Sequence, residues 1–382
     1  MSRLRIRGRR RDAGAVATIV AILLAGGVLL GMTALVVDIG QLYAEREELQ
    51  SGADAAAMAV ALDCAQRGDV TRGNECLAAA STVPGYADRN ARDGDSAIVR
   101  VCGSDSRLAP CSSVPGGSLA DCIGTIPAGA TYVEVRTKTE TNGGDYIYPA
   151  SFAQTLVDGY SGTTVGACSR VGWGSPGVGV ALTFCLTEWN DATGSGGNLA
   201  PAPPAVPAGS YEVVLRTKSP GGGKGGGPAD PCEKKKSGAD LPGDFGWTDT
   251  PDAATCQTLI SSAGMYDVDP GNDVVKSCEA VFVAARTNRT PIIVPIYNEA
   301  TGTGSKGVYR LEGFAAFVIT GWGNLFPGVK DADSTLTSKS AKSLCPSGDV
   351  CVFGYFTNAL LPWSGGFSST TNYGATVIKT IG

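Results

Sequence analysis

A chain of 382 residues with 43% apolar and 18% charged side chains is long enough to bury a core and too apolar to remain disordered. Its net charge of −5 hides an asymmetry, because residues 1–14 carry six arginines against one aspartate and the remainder carries 25 basic and 35 acidic residues. The absence of histidine excludes Ser–His–Asp and Cys–His catalysis and any histidine metal site, while 53 glycines and 21 prolines point to a turn-rich, strand-dominated fold.

The arginines (Arg3, Arg5, Arg7, Arg9, Arg10 and Arg11) abut the run Ala15–Val37, 23 residues without a charge. An arginine cluster in that position reads as the cytoplasmic flank of a membrane span rather than as a nucleic-acid patch. As a helix the run would extend about 35 Å, enough to cross a bilayer with some tilt. A cleaved secretory signal has a shorter apolar region, about 7–15 residues, and no small-x-small site precedes Asp38. The expectation is a cytoplasmic tail over 1–14, a transmembrane helix over 15–37 in contact with the lipid bilayer, and an extracytoplasmic remainder. Gly27 and Gly31 form a GxxxG pair, a candidate helix-dimer contact for self-association; ordinary small residues in a membrane helix are the alternative.

Residues 38–66 read as an amphipathic helix continuing outward from the span. Ile39, Leu42, Tyr43, Leu49, Ala53, Ala56, Ala57 and Val60 recur at helical spacing with Glu45, Arg46, Glu47 and Glu48 between them. Ala53, Ala56, Ala57 and Val60 form a candidate packing face, for the chain's own domain or for another subunit. Asn74–Arg89 reads as a second short helix interrupted at Pro84.

From residue 67 to 382 a β-rich extracytoplasmic domain is expected. Thr131–Glu140 alternates, with Val133, Val135 and Thr137 on one face and Tyr132, Glu134, Arg136 and Lys138 on the other, as a half-buried strand does. Pro291–Tyr297 reads as an edge strand because of Pro295, Val308–Gly321 as a strand with a bulge at Gly313, and Val350–Thr357 as a further strand. The similarity between 127–144 and 207–223 reflects either a duplicated unit or convergent strand–turn chemistry. Segments 194–209 and 219–238 are flexible loops or a domain boundary.

All 12 cysteines follow the apolar run, and an even number in an exported domain reads as disulfides. Without a CxxC pair or a histidine, zinc is a poor fit. Local pairing joins Cys64 with Cys76, Cys168 with Cys185, and Cys345 with Cys351. Gly221–Gly227 lacks the spacing of a phosphate loop, and Asp267/Asp269 and Asp331/Asp333 are carboxylate pairs that any acidic exported domain offers. No catalytic residue, metal or cofactor is expected. The fold class is α+β, a transmembrane helix running into an amphipathic helix ahead of a disulfide-bonded β-rich ectodomain.

From Gly14 to Ala61 the arginine tail, the apolar run, Asp38-Ile39-Gly40, Tyr43, Arg46, Leu49-Gln50 and Ala53-Asp54-Ala55-Ala56-Ala57 resemble the amino-terminal segment of TadE/TadG-like proteins of the Flp (Tad) pilus-assembly system. Phe245-Gly246-Trp247, Pro291–Tyr297 and Tyr309–Trp322 resemble actinobacterial TadG-related proteins. The resemblance implies a bacterial envelope protein that helps build or anchor a thin type IV-like pilus, without enzymatic activity, among other Tad components or pseudopilins. The prepilin pattern of a processing glycine with glutamate five residues on is not met, since Ile19 stands there after Gly14. That favours a permanently anchored subunit. No DxSxS string is present, so the von Willebrand A domain of some relatives is not indicated. Rival readings are an anchored adhesin or ligand-binding protein and an exported hydrolase.

Overall fold

Ala, Leu, Glu and Gln dominate the stretch from Val28 to Ala65, which contains no proline, and it forms one helix of 38 residues. This computed structural model describes residues 12–65, 75–112, 121–216, 245–248, 256–260, 262–267, 273–301, 307–345, 349–362 and 366–382. The tail through residue 11 and the loop expected over 219–238 lie outside the described residues. The principal helices are α1 (Asp12–Ala25), α2 (Val28–Ala65), α3 (Glu75–Asp88), α4 (Leu186–Thr193) and α5 (Asp273–Asn288). The principal strands are β1 (Ser96–Gly103), β2 (Thr131–Thr139), β3 (Gly166–Pro176), β4 (Leu182–Cys185), β5 (Val213–Arg216), β6 (Phe245–Trp247), β7 (Ile292–Thr301), β8 (Val308–Gly323), β9 (Cys351–Thr357), β10 (Ala359–Pro362) and β11 (Ala375–Thr380).

The apolar run is divided. Helix α1 stops at Ala25, and Gly27 takes a positive φ of 70° that a residue with a Cβ rarely adopts. Helix α2 then carries without a break through Asp38 to Ala65. Among the described residues no helix is long and apolar enough to cross a membrane. The physical reason is the Gly26–Gly27 break, which leaves α1 with 14 residues, together with the polar residues that α2 takes on from Asp38. Because Gly27 lies in the break, the Gly27/Gly31 pair does not sit on one uninterrupted helix face; the Gly31 N–H instead donates to the Gly27 carbonyl at 2.8 Å.

Two sheets follow. The first runs β1-β2-β3-β11-β10, antiparallel except for the β11–β10 pair. The second runs β5-β9-β8-β7-β4-β6. Helices α2 and α3 cover one face of the first sheet, and α5 with α4 packs on one face of the second through Phe282, Ala285 and Trp189. The opposite face of the second sheet, with Tyr297, Tyr309 and Phe314, packs against Ala359, Ala375 and Val377 from the β10–β11 end of the first.

Several local expectations are corrected. Helix α3 runs through Pro84 without the interruption expected there. The strand holding Pro295 is central, between β8 and β4, not an edge. Proline is tolerated because the parallel pairing with β4 spans only Ile296 and Tyr297, and the Pro295 carbonyl accepts the Thr183 hydroxyl at 2.9 Å. The bulge in β8 falls at Glu312, beside Gly313, where a Cβ would lie 2.0 Å from the Thr371 carbonyl oxygen. The two similar segments are not equivalent: β2 is central in the first sheet and β5 is terminal in the second. Segment 194–209 is tied down at Ala200, whose N–H donates to the Phe356 carbonyl and whose carbonyl accepts the Thr357 hydroxyl.

Disulfides join Cys64–Cys76, Cys102–Cys111, Cys122–Cys168, Cys256–Cys278 and Cys345–Cys351. Cys185 is disulfide-bonded, but not to Cys168. The spacing in sequence misleads because Cys168 lies on β3 of the first sheet and Cys185 on β4 of the second. Peptide mapping without reduction is expected to recover a Cys122–Cys168 linked peptide; a Cys168–Cys185 link in its place would refute this two-sheet arrangement.

Candidate functional site: the seat of the long helix

Alanines set the distance at which α2 meets the first sheet. Ala53, Ala56, Ala57, Val60 and Ala61 are fully buried, and Ala56, Ala57, Val60 and Ala61 share a cluster with Val133 and Val135 of β2, Val171 and Trp173 of β3, and Ile378 of β11. The candidate packing face is therefore satisfied by the chain's own domain. Ile39 and Tyr43, one end of the same apolar stripe, do not join it and stay largely exposed. Gly52 admits α3 on the flank, since a Cβ there would stand 3.1 Å from the Ala87 carbonyl oxygen.

Polar clamps fix the register of this seat. The Thr137 hydroxyl donates to the Leu49 carbonyl at 3.0 Å, and the Gln50 amide donates to the Cys168 carbonyl at 3.0 Å. At the far end of α2 the Arg107 guanidinium donates to the Cys64 carbonyl at 2.7 Å, and Asp105 holds Arg107 in turn. A cation on the last carbonyls of a helix also meets the negative end of its dipole. The Cys64–Cys76 disulfide then closes α2 onto α3.

Asp38 clamps the other end. Its side chain is buried, and its carboxylate accepts the backbone N–H groups of Ser151, Phe152 and Ala153 at 2.5–3.2 Å. It thereby caps the helical turn Ala153–Leu156, which lies in the long connection between β2 and β3. The Ser151 hydroxyl donates to Gln41, one helical turn further along α2.

The face of the first sheet away from α2 is held by charge. Glu134, only 2% exposed, accepts hydrogen bonds from Arg100 at 3.1 Å, Arg136 at 2.7 Å and Arg170 at 2.8 Å. Arg136 also pairs with Asp121 at 2.7 Å. Burial alone would push the Glu134 carboxyl upward, but the hydrogen bonds from the three arginines outweigh it and hold the group below the ordinary carboxylate range. Strand β2 is thus buried on both faces, not on one as its alternation suggests. Two clusters, Cys102 and Cys111 with Glu134 and Cys122 and Cys168 with Glu134, bring cysteine and carboxylate together. Their sulfurs are committed to disulfides and offer no thiolate to a metal. Of the carboxylate pairs noted in the sequence, Asp331 accepts the Asn324 N–H and Asp333 the Ala341 N–H, both turn-shaping roles.

Asp38, Gln50, Gly52 and Glu134 escape a reading of the sequence by spacing. Asp38 marks itself only as the first charge after an apolar run. Glu134 marks itself only as a carboxylate flanked by Val133 and Val135 in a strand with Arg136.

A long helix seated by an alanine face on a disulfide-stapled sheet, with an exposed apolar segment at its free end, defines a class of helix-led proteins with a β-rich domain. Residues 14–65 match the TadE/G-like family of Flp pilus assembly, Tad. The match covers α1 from its third residue and all of α2, ending on the last residue of α2, so the carboxy-terminal resemblance at Phe245–Trp247, Pro291–Tyr297 and Tyr309–Trp322 falls outside it. No curated protein and no solved structure matches the chain.

Replacing Asp38 by Ala is expected to remove the cap on Ala153–Leu156 at a cost of about 1 kcal/mol. Hydrogen exchange at Ser151–Ala153 should accelerate while β2 amides keep their protection. Glu134→Ala leaves three arginines clustered and is expected to cost about 3–5 kcal/mol in chemical denaturation. Because the folded carboxyl titrates below its unfolded value, its contribution is complete at neutral pH. It is lost as pH falls from the ordinary carboxylate range through the lower folded value. The wild type should therefore lose stability in acid more steeply than the variant.

Proposed function

We propose that this protein is a membrane-anchored, non-enzymatic structural component of Flp/Tad-type pilus assembly. The TadE/G-like match over residues 14–65 carries the reading. In it, residues 15–37 sit in the bilayer, the arginine-rich tail is cytoplasmic, and residues 38–382 are extracytoplasmic. Large apolar side chains stand exposed along this stretch, among them Val16 (60%), Met32 (65%) and Val36 (69%), before apolar burial begins at Leu49. In water that exposure is costly; in lipid it is what a helix surface requires.

The Gly26–Gly27 break is compatible with a membrane setting because few backbone groups are lost there. Gly26 N–H donates to Ile22 at 2.8 Å and Gly27 N–H to Leu24 at 3.1 Å, and the Thr18 and Thr33 hydroxyls bond back to Gly14 and Leu29. Helices α1 and α2 then cross as a broken pair where neither has a long enough apolar stretch alone. The disulfides suit an oxidising exterior. With the alanine face spent on the chain's own sheet, contact with other Tad components or pseudopilins falls to the remaining surface of the domain and to the anchor. The domain is a rigid body held at a set height above the membrane, not a polymerising pilin.

Deletion of the gene in the producing bacterium is expected to abolish surface Flp pili, with recovery on complementation. The protein should stay with membranes through alkaline carbonate extraction and keep its intact amino terminus by mass spectrometry. Normal pili in the deletion strain would overturn the assembly role and favour the adhesin reading. Release by carbonate would overturn the anchor.

A further inference from the structure

We infer that the connection between β2 and β3, residues 146–157, is a second membrane-contacting element that lies in the interfacial region of the outer leaflet beside the anchor. The inference rests on the bilayer reading above and adds a contact that the sequence pattern does not contain. Four large apolar side chains stand out from this short segment: Tyr146 and Ile147 at 46%, Phe152 at 46% and Val157 at 56% exposure. Such a cluster in one loop is unusual for a surface facing only water.

Position decides what covers it. Asp38 holds the segment against α2 by three backbone N–H groups, so the segment cannot swing away while the cap is intact. It then runs back along the apolar run rather than away from it. A hollow of about 220 Å³ lies between Leu35, Ile39 and Leu42 of α2 and Tyr148, Ala153 and Val157 of the segment. A second, of about 520 Å³, lies between Gly27, Gly31, Ala34 and Val37 and the segment's Phe152 and Thr155. Residues 27 to 37 span about 15 Å of helix. If they lie in the bilayer, Phe152, its backbone held at the level of Asp38, reaches the outer end of that span, and lipid acyl chains fill the hollow between them.

The segment's own backbone fits that setting. Ser151, Phe152 and Ala153 N–H groups go to Asp38, Thr155 N–H to the Phe152 carbonyl, Val157 N–H to the Ala153 carbonyl and Tyr160 N–H to the Val157 carbonyl. Polar groups satisfied in this way can enter the headgroup and upper acyl region without large cost. Tyr146, Tyr148 and Tyr160 supply the amphipathic rings that favour such a depth.

The test uses the full chain reconstituted in phosphatidylethanolamine–phosphatidylglycerol vesicles with a phospholipid carrying a photoactivatable acyl chain. After irradiation, cross-linked peptides are located by mass spectrometry. Labelling within both 15–37 and 146–157 is expected, with the loop label lost in a Phe152→Ser/Val157→Ser double variant whose anchor label is unchanged. Labelling of 15–37 alone would overturn this inference while leaving the anchor in place, and would mean that protein, a second copy included, covers the loop. Labelling of neither segment would overturn the bilayer reading with it.

Discussion

The close approach of α2 to the first sheet is the contact on which the rest of the protein depends. A helix carrying Leu or Phe at 56, 57 and 61 would stand off the sheet by the width of those side chains, and Val133, Val171 and Trp173 would lose their cover. Alanine removes that spacing, and Gly52 removes it again toward α3. The seat is therefore defined by small residues and then locked in register by polar groups that reach across it. Those groups, Thr137, Gln50 and Arg107, bind backbone carbonyls of α2 or of the sheet, which cannot move aside as a side chain does.

A consequence is that the domain and the apolar segment form one mechanical unit. The same helix that leaves the apolar region is buried in the core some turns later, so no flexible linker intervenes between them. On the far side of the sheet, Glu134 ties β1, β2 and β3 together through one arginine from each strand. A buried carboxylate with three charged donors is costly to desolvate, but its geometry is unique, and it opposes slippage of the strands that seat the helix. Force applied to the domain would reach the apolar segment through this sheet and helix.

Much of the helical region was legible in the amino acids themselves. The apolar run, the helically spaced alanine stripe and the bracketing Cys64 and Cys76 are local patterns, and the match to the TadE/G-like family over residues 14–65 lies on that region. Strands β2, β8 and β9 were likewise announced by alternation or by β-branched and aromatic runs. The Gly26–Gly27 break was not read, because glycines are common in apolar helices and only the backbone angle at Gly27 distinguishes a stop from a tolerated residue.

What tertiary structure alone decided are the relations between segments far apart in sequence. Cys168 sits nearer to Cys185 along the chain than to Cys122, yet it pairs with Cys122, because two cysteines bond by where their strands lie. Pro295 looks like an edge residue until the short pairing of its neighbour strand removes the need for its missing N–H. Asp38 and Glu134 read as surface charges in their own windows, and each becomes buried only when a remote partner arrives: the loop at 151–153 for one, three arginines for the other. Local sequence thus determined the periodic elements and the apolar character of the leading helices. Burial of polar groups, disulfide partners and the strand order required the third dimension, because each depends on contacts that close only when the chain folds back on itself.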